Sequence, residues 1–257
     1  MALLIAAAEL RDDVGSWFTG RDLDAPCPAV GAAGNLAHRR PHLPSDLART
    51  RAAVAAVVGQ PPSRWHLMQQ VHGADVAVVD AETPVGAELP EVDAAVTAEV
   101  DRPLVVQVAD CVPVLFAGPT TVGVAHAGRQ GVAAGVIAAT VAALTALGDT
   151  PGTLAAAIGP AIGGCCYEVP ATLQAEVIAR EPTAAATTTW GTPSLDLPAA
   201  VGAQLARAGV AVRQAGDGCT RCDPRWFSHR EDPSTGRQIG LVVRPGDAQD
   251  IAAGAAA

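Results

Sequence analysis

Cys111 and His126 are the residues of this sequence whose types and positions point most directly to chemistry. They lie fifteen residues apart, each beside a run of apolar and β-branched residues. Residues 118–121, Gly-Pro-Thr-Thr, separate the two runs and predict a hairpin turn. Strands joined by a short turn lie side by side, so the thiol and the imidazole can meet. His72 ends an earlier strand-like run, in the stretch MQQVHG, and is the third candidate.

These three residues fit two kinds of chemistry. One cysteine and two histidines form the ligand set of a catalytic zinc site that keeps its fourth position open. A Cys–His pair is also the pairing of a cysteine nucleophile with its general base. The residues alone leave both chemistries open. Asp110, directly before Cys111, adds a carboxylate that could act as a general acid or base, with a turn cap as its structural alternative.

The elements that must position these side chains are short strands followed by a helix. Apolar runs at 104–108, 112–116 and 122–125 predict strands. The apolar spacing over 128–147 predicts one long helix that begins directly after His126. Because the first N–H groups of a helix have no partner within it, this start also offers a binding place for an anion.

The order of predicted elements indicates the fold class. Strands predominate in the middle of the chain, and helices are interspersed irregularly. This order predicts an α+β fold with mixed β-sheets flanked by helices rather than a regular βαβ repeat. No linker separates the strands, so we expect residues 1–257 to form a single domain, with 248–257 as a frayed tail.

Charge and composition narrow the classes of partner. The net charge is −9, all 17 basic residues are arginines, and there is one tyrosine. Scattered positive charge argues against nucleic-acid binding, and the lack of lysine excludes a Schiff-base or P-loop lysine. No apolar run approaches the roughly 20 residues of a membrane helix, and the N-terminus lacks the positive region of a signal peptide. We therefore expect a cytoplasmic protein with a small-molecule partner, and no pattern predicts its oligomeric state.

The remaining cysteines are interpreted as not catalytic. Cys219 and Cys222 form a CxxC, but Cys165 and Cys166 are adjacent, so the zinc pattern of two CxxC pairs is absent. An even number of cysteines does not by itself imply disulfides in a long chain without an export signal. With Cys27, the residues Cys165, Cys166 and Cys222 fit the role of small, packed side chains.

Several motifs occur in an order that is specific in combination. They are QQVHG at 69–73, VDAAVT at 92–97, ADCVPVLF at 109–116, AHAG at 125–128, IGPAIG at 158–163, CYEV at 166–169, and CT, FSHR and TGR within 219–237. With these motifs the chain resembles the YfiH-type family, also called the laccase-domain or multicopper polyphenol oxidoreductase family, over nearly its whole length. The resemblance implies a fold similar to cytotoxic necrotizing factor, with mixed β-sheets between helices.

The resemblance also implies purine nucleoside chemistry. It suggests phosphorolysis of adenosine, inosine, guanosine and methylthioadenosine to the base and a (deoxy)ribose 1-phosphate, with hydrolytic deamination of adenosine. Purine nucleoside and phosphate would be the partners. The family's zinc ligands correspond to His72, Cys111 and His126. With zinc at that site, our own hypothesis for deamination is that Asp110 moves the protons. Copper at this site would be adventitious.

Three departures from the family pattern concern the substrate. The family usually reads HAGWRG where this chain reads HAGRQG, which places Arg129 in the tryptophan position. The family's NLGxHVGDD reads NLAHRRPHL here, so Asn35 matches and Arg39 replaces a histidine. The family's FFSYRR reads FSHRE, which keeps Arg230. We expect Asn35, Arg129 and Arg230 to bind substrate, with the two arginines as candidates for phosphate.

Three alternative functions stay open at this point. The first is a metal-free Cys–His hydrolase or amidase that acts on an amide such as a cell-wall precursor. The second is a copper polyphenol oxidase, for which six histidines with no HxH pair are few. The third is a protein that binds nucleosides without turnover, which the lost family residues would favour.

Overall fold

The computed structural model describes residues 3–23, 32–214 and 218–246. The strands in these ranges are β1 (Leu3–Ala7), β2 (Gly15–Asp22), β3 (His66–Leu67), β4 (Val76–Val78), β5 (Ala94–Thr97), β6 (Leu104–Val108), β7 (Val112–Ala117), β8 (Val122–Ala127), β9 (Ala155–Ile158), β10 (Ala185–Thr187), β11 (Pro193–Leu195), β12 (Ala211–Gln214) and β13 (Gln238–Val243). The helices are α1 (Pro44–Val58), α2 (Arg129–Ala134), α3 (Val136–Ala146), α4 (Ala171–Ile178) and α5 (Leu197–Arg207), with short 3-10 turns at Pro62–Arg64, Pro151–Thr153 and Pro182–Ala184.

Two large sheets stack face to face. One has the strand order β1-β2-β13-β6-β3 and the other has the order β12-β9-β7-β8-β5-β4, while β10 and β11 form a separate pair. Both large sheets contain parallel as well as antiparallel pairs, because β3–β6, β4–β5 and β9–β12 run parallel. The prediction of an α+β fold with mixed sheets is therefore confirmed.

Apolar side chains fill three layers around these sheets. The layer between the two sheets includes Phe18, Leu115 and Val124, which are nearly inaccessible to solvent. Helices α2 to α5 cover the outer face of the six-stranded sheet, and α1 covers the outer face of the other. Full burial of each such side chain contributes roughly 1.5–3 kcal/mol. The strands near the site are therefore held on both faces.

The β7–β8 hairpin confirms the predicted pairing of the two central strands. Val112 lies opposite Ala127 and Pro113 lies opposite His126 in its antiparallel register. The turn closes with a hydrogen bond of 2.8 Å from the Gly118 N–H to the carbonyl of Thr121. This register brings the residue before β7 close to the end of β8.

The single helix predicted over 128–147 is wrong, because the chain forms two helices there. Gly135 adopts a φ of 90° between α2 and α3. This left-handed conformation is strained for residues with a side chain and ends the first helix. The Gly135 N–H donates to the carbonyl of Gly131 at 2.9 Å, which satisfies one carbonyl of the last turn. Helix α2 therefore ends at Ala134, and α3 begins at Val136 directly after the glycine.

The local sequence pattern does not predict strand β2 or the β10–β11 pair. The tail at 248–257 lies outside the described residues. Among the described helices, none has the length and apolar character needed to cross a membrane.

Candidate metal and active site

His72, Cys111 and His126 meet at one point. Cys111 directly precedes β7, His126 lies in β8, and His72 lies in the turn after β3. The Sγ of Cys111 is 3.8 Å from the Nε2 of His72. The two imidazole rings meet edge to face with their centres 4.8 Å apart, and one donor atom from each residue lies within 4.8 Å of the others. The three side chains that the sequence singled out are therefore brought together.

A buried carboxylate, Asp93, organises this cluster from behind. It lies directly before β5 and has no solvent exposure. Its Oδ1 is 2.7 Å from the Nδ1 of His126 and accepts the His72 N–H at 2.9 Å. Its Oδ2 accepts the N–H groups of Val71 at 3.1 Å and Gly73 at 2.6 Å. These bonds hold His72 at its φ of 65°, a conformation that non-glycine residues seldom adopt.

Gly128 permits the close approach of His72, Cys111 and His126. A Cβ atom at this position would lie 2.8 Å from the His72 ring and 3.2 Å from the Cys111 sulfur. The first distance is shorter than carbon atoms tolerate, so a side chain would displace the imidazole. The glycine of the AHAG motif is thereby explained by the space that the site needs.

The charges of Cys111 and His126 depend on each other. Burial alone would raise the pKa of the Cys111 thiol, but the positive charge of His126 and hydrogen bonds from His126 and His72 lower it to about 6. Burial would lower the pKa of His126, but the Cys111 thiolate and the bond to Asp93 raise it to about 9. Without a metal the pair is therefore a thiolate and an imidazolium near neutral pH.

The donor set fits a zinc ion. A thiolate sulfur and two imidazole nitrogens are ligands that zinc accepts, with a fourth position left open. The contact from Asp93 to Nδ1 leaves the Nε2 of His126 to face the cluster. Carboxylates commonly orient metal-bound histidines in this way. Asp93 was not identified from the sequence, although an acidic residue directly before a fully apolar strand was a visible signal.

Two adjoining clefts open on the cluster. The first lobe, of about 280 Å³, is lined by the cluster of His72, Cys111 and His126 and by Met68, Gln70, Gln107, Arg39, Arg40 and Arg237. The second lobe, of about 250 Å³, is lined by Asp110, Arg129, Ile162, Tyr167, Leu197 and Arg230 together with His72 and Cys111. His229 lines both lobes. Together the two lobes reach the roughly 300–1,000 Å³ that is usual for small-molecule sites.

Two arginines of the first lobe donate their side-chain hydrogen bonds to backbone carbonyls. Arg40 donates to the carbonyls of Pro233 and Thr235, and Arg237 donates to the carbonyls of Thr235 and Gly236. Burial, with the nearby charge of Arg40, lowers the pKa of Arg237. These guanidinium groups therefore hold the 233–237 turn and give this lobe a positive wall.

The second lobe contains both arginines that were expected to bind substrate. Arg230 stacks on the Tyr167 ring at 4.8 Å and donates to the carbonyl of Glu168 at 2.7 Å. Arg129 is the first residue of α2 and has no carboxylate partner among the described residues. Burial, followed by the charge of the Cys111 thiolate, raises the pKa of Tyr167, so this phenol stays neutral beside the two cations. Tyr167 lies within the CYEV motif but was not identified from the sequence.

Asp110 lies on the wall of the second lobe, in the turn between β6 and β7. Its φ of 87° shows that the chain leaves strand geometry there. One carboxylate oxygen accepts the hydroxyl of Thr220 at 2.6 Å, and the other accepts the Arg230 N–H at 2.7 Å. The carboxylate therefore ties the segment at 220–230 to the site.

Asn35 occupies a different place from the other expected substrate residues. It is buried, its side-chain oxygen accepts the N–H groups of Ala37 and Arg237, and its amide donates to the carbonyl of Ala37. Its neighbour Ala37 lines the first lobe. The side chain thus shapes the loop at the wall of this lobe, and its contacts in the described structure are with backbone.

The fold and the cluster define a class of α+β proteins with a Cys–His₂ site between two stacked sheets. Residues 17–245 match the family described as multi-copper polyphenol oxidoreductase laccase. This chain belongs to that family. A relative named purine nucleoside phosphorylase from Streptomyces coelicolor is 50% identical over 202 residues, which cover 77% of this chain and 83% of the relative.

Other relatives agree with this assignment. A protein named purine nucleoside phosphorylase from Streptomyces griseus is 46% identical over 201 residues, covering 77% of this chain and 82% of the relative. Among solved structures, the hypothetical protein YfiH of Bacillus licheniformis superposes with a TM-score of 0.83 at 27% identity, covering 93% of this chain and 96% of that one. YlmD of Geobacillus stearothermophilus gives a TM-score of 0.80 at 30% identity, covering 91% of this chain and 93% of that one.

Proposed function

We propose that this protein is a zinc-dependent purine nucleoside phosphorylase that also deaminates adenosine. One observation carries the proposal. The cluster of His72, Cys111 and His126 lies where two lobes of different chemistry meet. Relatives that carry the name purine nucleoside phosphorylase support the choice of substrate. Adenosine, inosine, guanosine and methylthioadenosine are the proposed nucleosides, and a copper ion at the site would be adventitious.

His72, Cys111 and His126 would hold the zinc ion, with Asp93 orienting His126. A zinc ion held there would act as a Lewis acid and would lower the pKa of a water molecule to about 7, which would supply the nucleophile that hydrolytic deamination needs. The protein keeps the thiol of Cys111 ionised and thus ready to bind a metal. A reduced thiol of this kind fits the cytoplasm, where we propose that the protein works.

The first lobe is proposed to receive the nucleoside. The Gln70 side chain binds both backbone groups of Gln107: its amide donates to the Gln107 carbonyl at 2.8 Å, and its oxygen accepts the Gln107 N–H at 2.9 Å. The Nε2 of Gln107 is left without a hydrogen-bond partner in the described part of the chain. A buried donor without a partner is costly, and an acceptor on a bound ligand would satisfy it. Met68 and Val108 add an apolar wall suited to a purine ring.

The second lobe is proposed to receive phosphate. Arg129 and Arg230 are the proposed donors, because Arg129 has no carboxylate partner among the described residues and Arg230 donates to one backbone carbonyl, that of Glu168. In the first lobe, Arg39 is paired with the Glu88 carboxylate, and Arg40 and Arg237 each donate to two backbone carbonyls. In phosphorolysis a phosphate oxygen forms a bond to ribose C1′ as the bond from C1′ to the purine nitrogen breaks. The electron pair leaves with the purine, which takes up one proton. Asp110 is the proposed carrier of that proton, and Asn35 is proposed to support the substrate-binding loop.

Turnover of adenosine tests the proposal directly. Purified protein would be incubated with adenosine, with and without phosphate, and with zinc or a chelator, beside the Cys111→Ala variant. Adenine and inosine would be separated by chromatography. We expect adenine that requires phosphate, zinc and Cys111, together with inosine that requires zinc and Cys111. A zinc-loaded protein that forms neither product would reject this function and favour binding without turnover.

The metal-free Cys–His hydrolase is the second candidate, because one observation favours it. The Cys111 thiol has a pKa of about 6 beside His126, which is the condition of an activated cysteine nucleophile. This function predicts an acyl-enzyme on Cys111 and an amidase activity that survives chelation. Loss of all activity on chelation, restored by zinc, would exclude it.

A further inference from the structure

Four cysteines outside the nucleoside site converge on one point. Cys165 and Cys166 lie in the turn that follows β9, and Cys219 and Cys222 lie in the turn at the start of the 218–246 segment. The Sγ of Cys222 is 3.9 Å from that of Cys165 and 3.3 Å from that of Cys166. All four sulfur atoms lie within 4.8 Å of one another, and all four are free thiols.

This spacing matches a tetrahedron of sulfur ligands. With zinc–sulfur bonds of about 2.3 Å, tetrahedral geometry places neighbouring sulfurs about 3.8 Å apart. The distances involving Cys222 lie on both sides of that value. Because the two contributing turns are more than fifty residues apart in sequence, only the fold brings the four side chains together.

A tight turn connects Cys219 and Cys222. The N–H groups of Cys222 and Asp223 donate to the carbonyl of Cys219 at 3.0 and 3.1 Å, which closes a tight turn. The turn therefore holds the sulfurs of Cys219 and Cys222 close to each other and to those of Cys165 and Cys166.

We propose that Cys165, Cys166, Cys219 and Cys222 form a second metal site that binds one zinc ion through four thiolates. A closed set of four protein ligands is typical of structural zinc. Each thiol loses its proton to solvent on binding, and no change of oxidation state is involved. This site does not depend on the proposed nucleoside activity.

The position of the site gives it a structural role for the second lobe. Tyr167 directly follows Cys166, and Arg230 lies in the segment that begins at the Cys219 turn. The two segments also meet through the Thr220 N–H, which donates to the carbonyl of Ala161 at 3.0 Å. A zinc ion held by both turns would fix Tyr167 and Arg230 relative to each other.

The test uses a protein that lacks the sulfur ligand of the nucleoside site. The Cys111→Ser variant would be purified under reducing conditions, and its zinc would be counted by elemental analysis and native mass spectrometry. We expect one zinc ion per chain in this variant and two in the unaltered protein. Cobalt replacing that zinc should give the sulfur-to-cobalt charge-transfer bands of tetrahedral thiolate coordination, a readout that leaves all four cysteines in place.

A second variant and a count of titratable thiols distinguish the possible outcomes. Adding Cys222→Ser to Cys111→Ser should remove the remaining tightly bound zinc and weaken the cobalt bands. A Cys111→Ser protein without zinc would overturn the proposal, whether its four thiols are all titratable or two are joined in a disulfide. Zinc retained without thiolate bands from cobalt would also overturn it. If both the unaltered protein and Cys111→Ser hold one zinc ion, the four-cysteine site stands and zinc at the nucleoside site fails.

Discussion

The Oδ1 atom of Asp93 lies 2.7 Å from the Nδ1 atom of His126, and both side chains are almost fully buried. Burial opposes ionisation of Asp93, but hydrogen bonds from His126 and from backbone N–H groups lower its pKa below the usual value. Asp93 also fixes the backbone of His72. One carboxylate therefore positions two of the three proposed zinc ligands.

We expect Asp93→Asn to weaken zinc binding at the nucleoside site by about 10- to 100-fold, the usual effect of losing a carboxylate behind a metal-bound histidine. The neutral amide cannot hold His126 with the same charge, and its NH₂ group cannot accept a hydrogen bond. Competition with a chromophoric chelator would measure the change in affinity. The exposed Asp12→Asn variant provides the control and should bind zinc as the unaltered protein does. Equal affinities in the two variants would show that Asp93 does not support the metal.

Alkylation of Cys111 reports the charge pair in metal-free protein. The pKa of about 6 lies well below the usual 9.0 because the positive charge of His126 outweighs the effect of burial. The rate of iodoacetamide reaction at Cys111 should therefore rise through a midpoint near pH 6. In His126→Gln the cation is lost and burial remains, so the midpoint should move upward toward or above pH 9. Peptide mass spectrometry at several pH values would measure both midpoints.

The control for this experiment is His42→Gln. His42 is bonded to the carbonyl of Arg40 and does not contact Cys111. Its replacement should leave the midpoint near pH 6. A midpoint that stays near pH 6 in His126→Gln would mean that another group stabilises the thiolate.

The local pattern of the sequence predicted the elements that are close in the chain. Two apolar runs and the Gly-Pro-Thr-Thr turn between them predict the β7–β8 hairpin. This hairpin in turn predicts that Cys111 and His126 lie close together. The break of the helix at Gly135 could not be derived this way, because an apolar period continues on both sides of it. The left-handed φ of Gly135, which ends α2, is visible only in the structure.

The sequence did not predict contacts between segments that are far apart in the chain. Asp93 acts through His126, thirty-three residues away, and its role depends on the β5–β8 pairing. The four-cysteine cluster was missed because a CxxC and an adjacent pair do not match a short-range zinc motif. Their sulfurs approach only because the turn after β9 and the start of the 218–246 segment lie beside each other.

Asp149 is predicted to stabilise the turn that joins β7 and β8. Its carboxylate accepts the N–H and hydroxyl groups of both Thr120 and Thr121 at distances from 2.6 to 3.3 Å. Hydrogen bonds to a buried charged group contribute about 1.5–3 kcal/mol each at most, and they are not additive. We expect Asp149→Ala to lower the free energy of unfolding by about 2–4 kcal/mol at pH 7.

The pH dependence of this effect has a definite sign. Burial would raise the pKa of Asp149, but the bonds from Thr121 and Thr120 lower it below 3.8. The stabilisation is therefore complete above the unfolded-state pKa and is lost as the pH falls through the lower folded-state value. Urea unfolding at pH 7 and pH 3 should show a smaller difference between the variant and the unaltered protein at acid pH.

Asp80 offers a matched control for Asp149. It makes the same kind of bonds to Thr83, but it is exposed to solvent. Asp80→Ala should change the unfolding free energy much less than Asp149→Ala. Equal losses would show that burial of the Asp149 network is not what stabilises the hairpin.

Asp110 and Thr220 allow proton transfer to be separated from positioning. Asp110→Asn should lower kcat for adenosine phosphorolysis by about 10²- to 10⁴-fold and flatten its pH profile, because the amide cannot carry the proton. Thr220→Val removes the hydroxyl that bonds the same carboxylate and keeps the carboxylate itself. It should raise KM and retain the pH profile. Identical profiles in the two variants would make Asp110 a positioning residue.

Arg129 and Arg230 are predicted to bind phosphate, and kinetic constants for phosphate test this. Each guanidinium should contribute a charge-assisted hydrogen bond, and loss of such a bond costs about 1.5–3 kcal/mol. Arg129→Gln and Arg230→Gln should therefore each raise the phosphate KM by about 10- to 100-fold, with a smaller effect on the KM for adenosine. Arg49→Gln, on the exposed face of α1, should change neither constant.

Replacement of Arg237 tests which lobe receives phosphate. Arg237 lies in the first lobe and is occupied with the carbonyls of Thr235 and Gly236, so its replacement should raise the KM for adenosine more than the KM for phosphate. A larger increase in the KM for phosphate would indicate that phosphate binds in the first lobe.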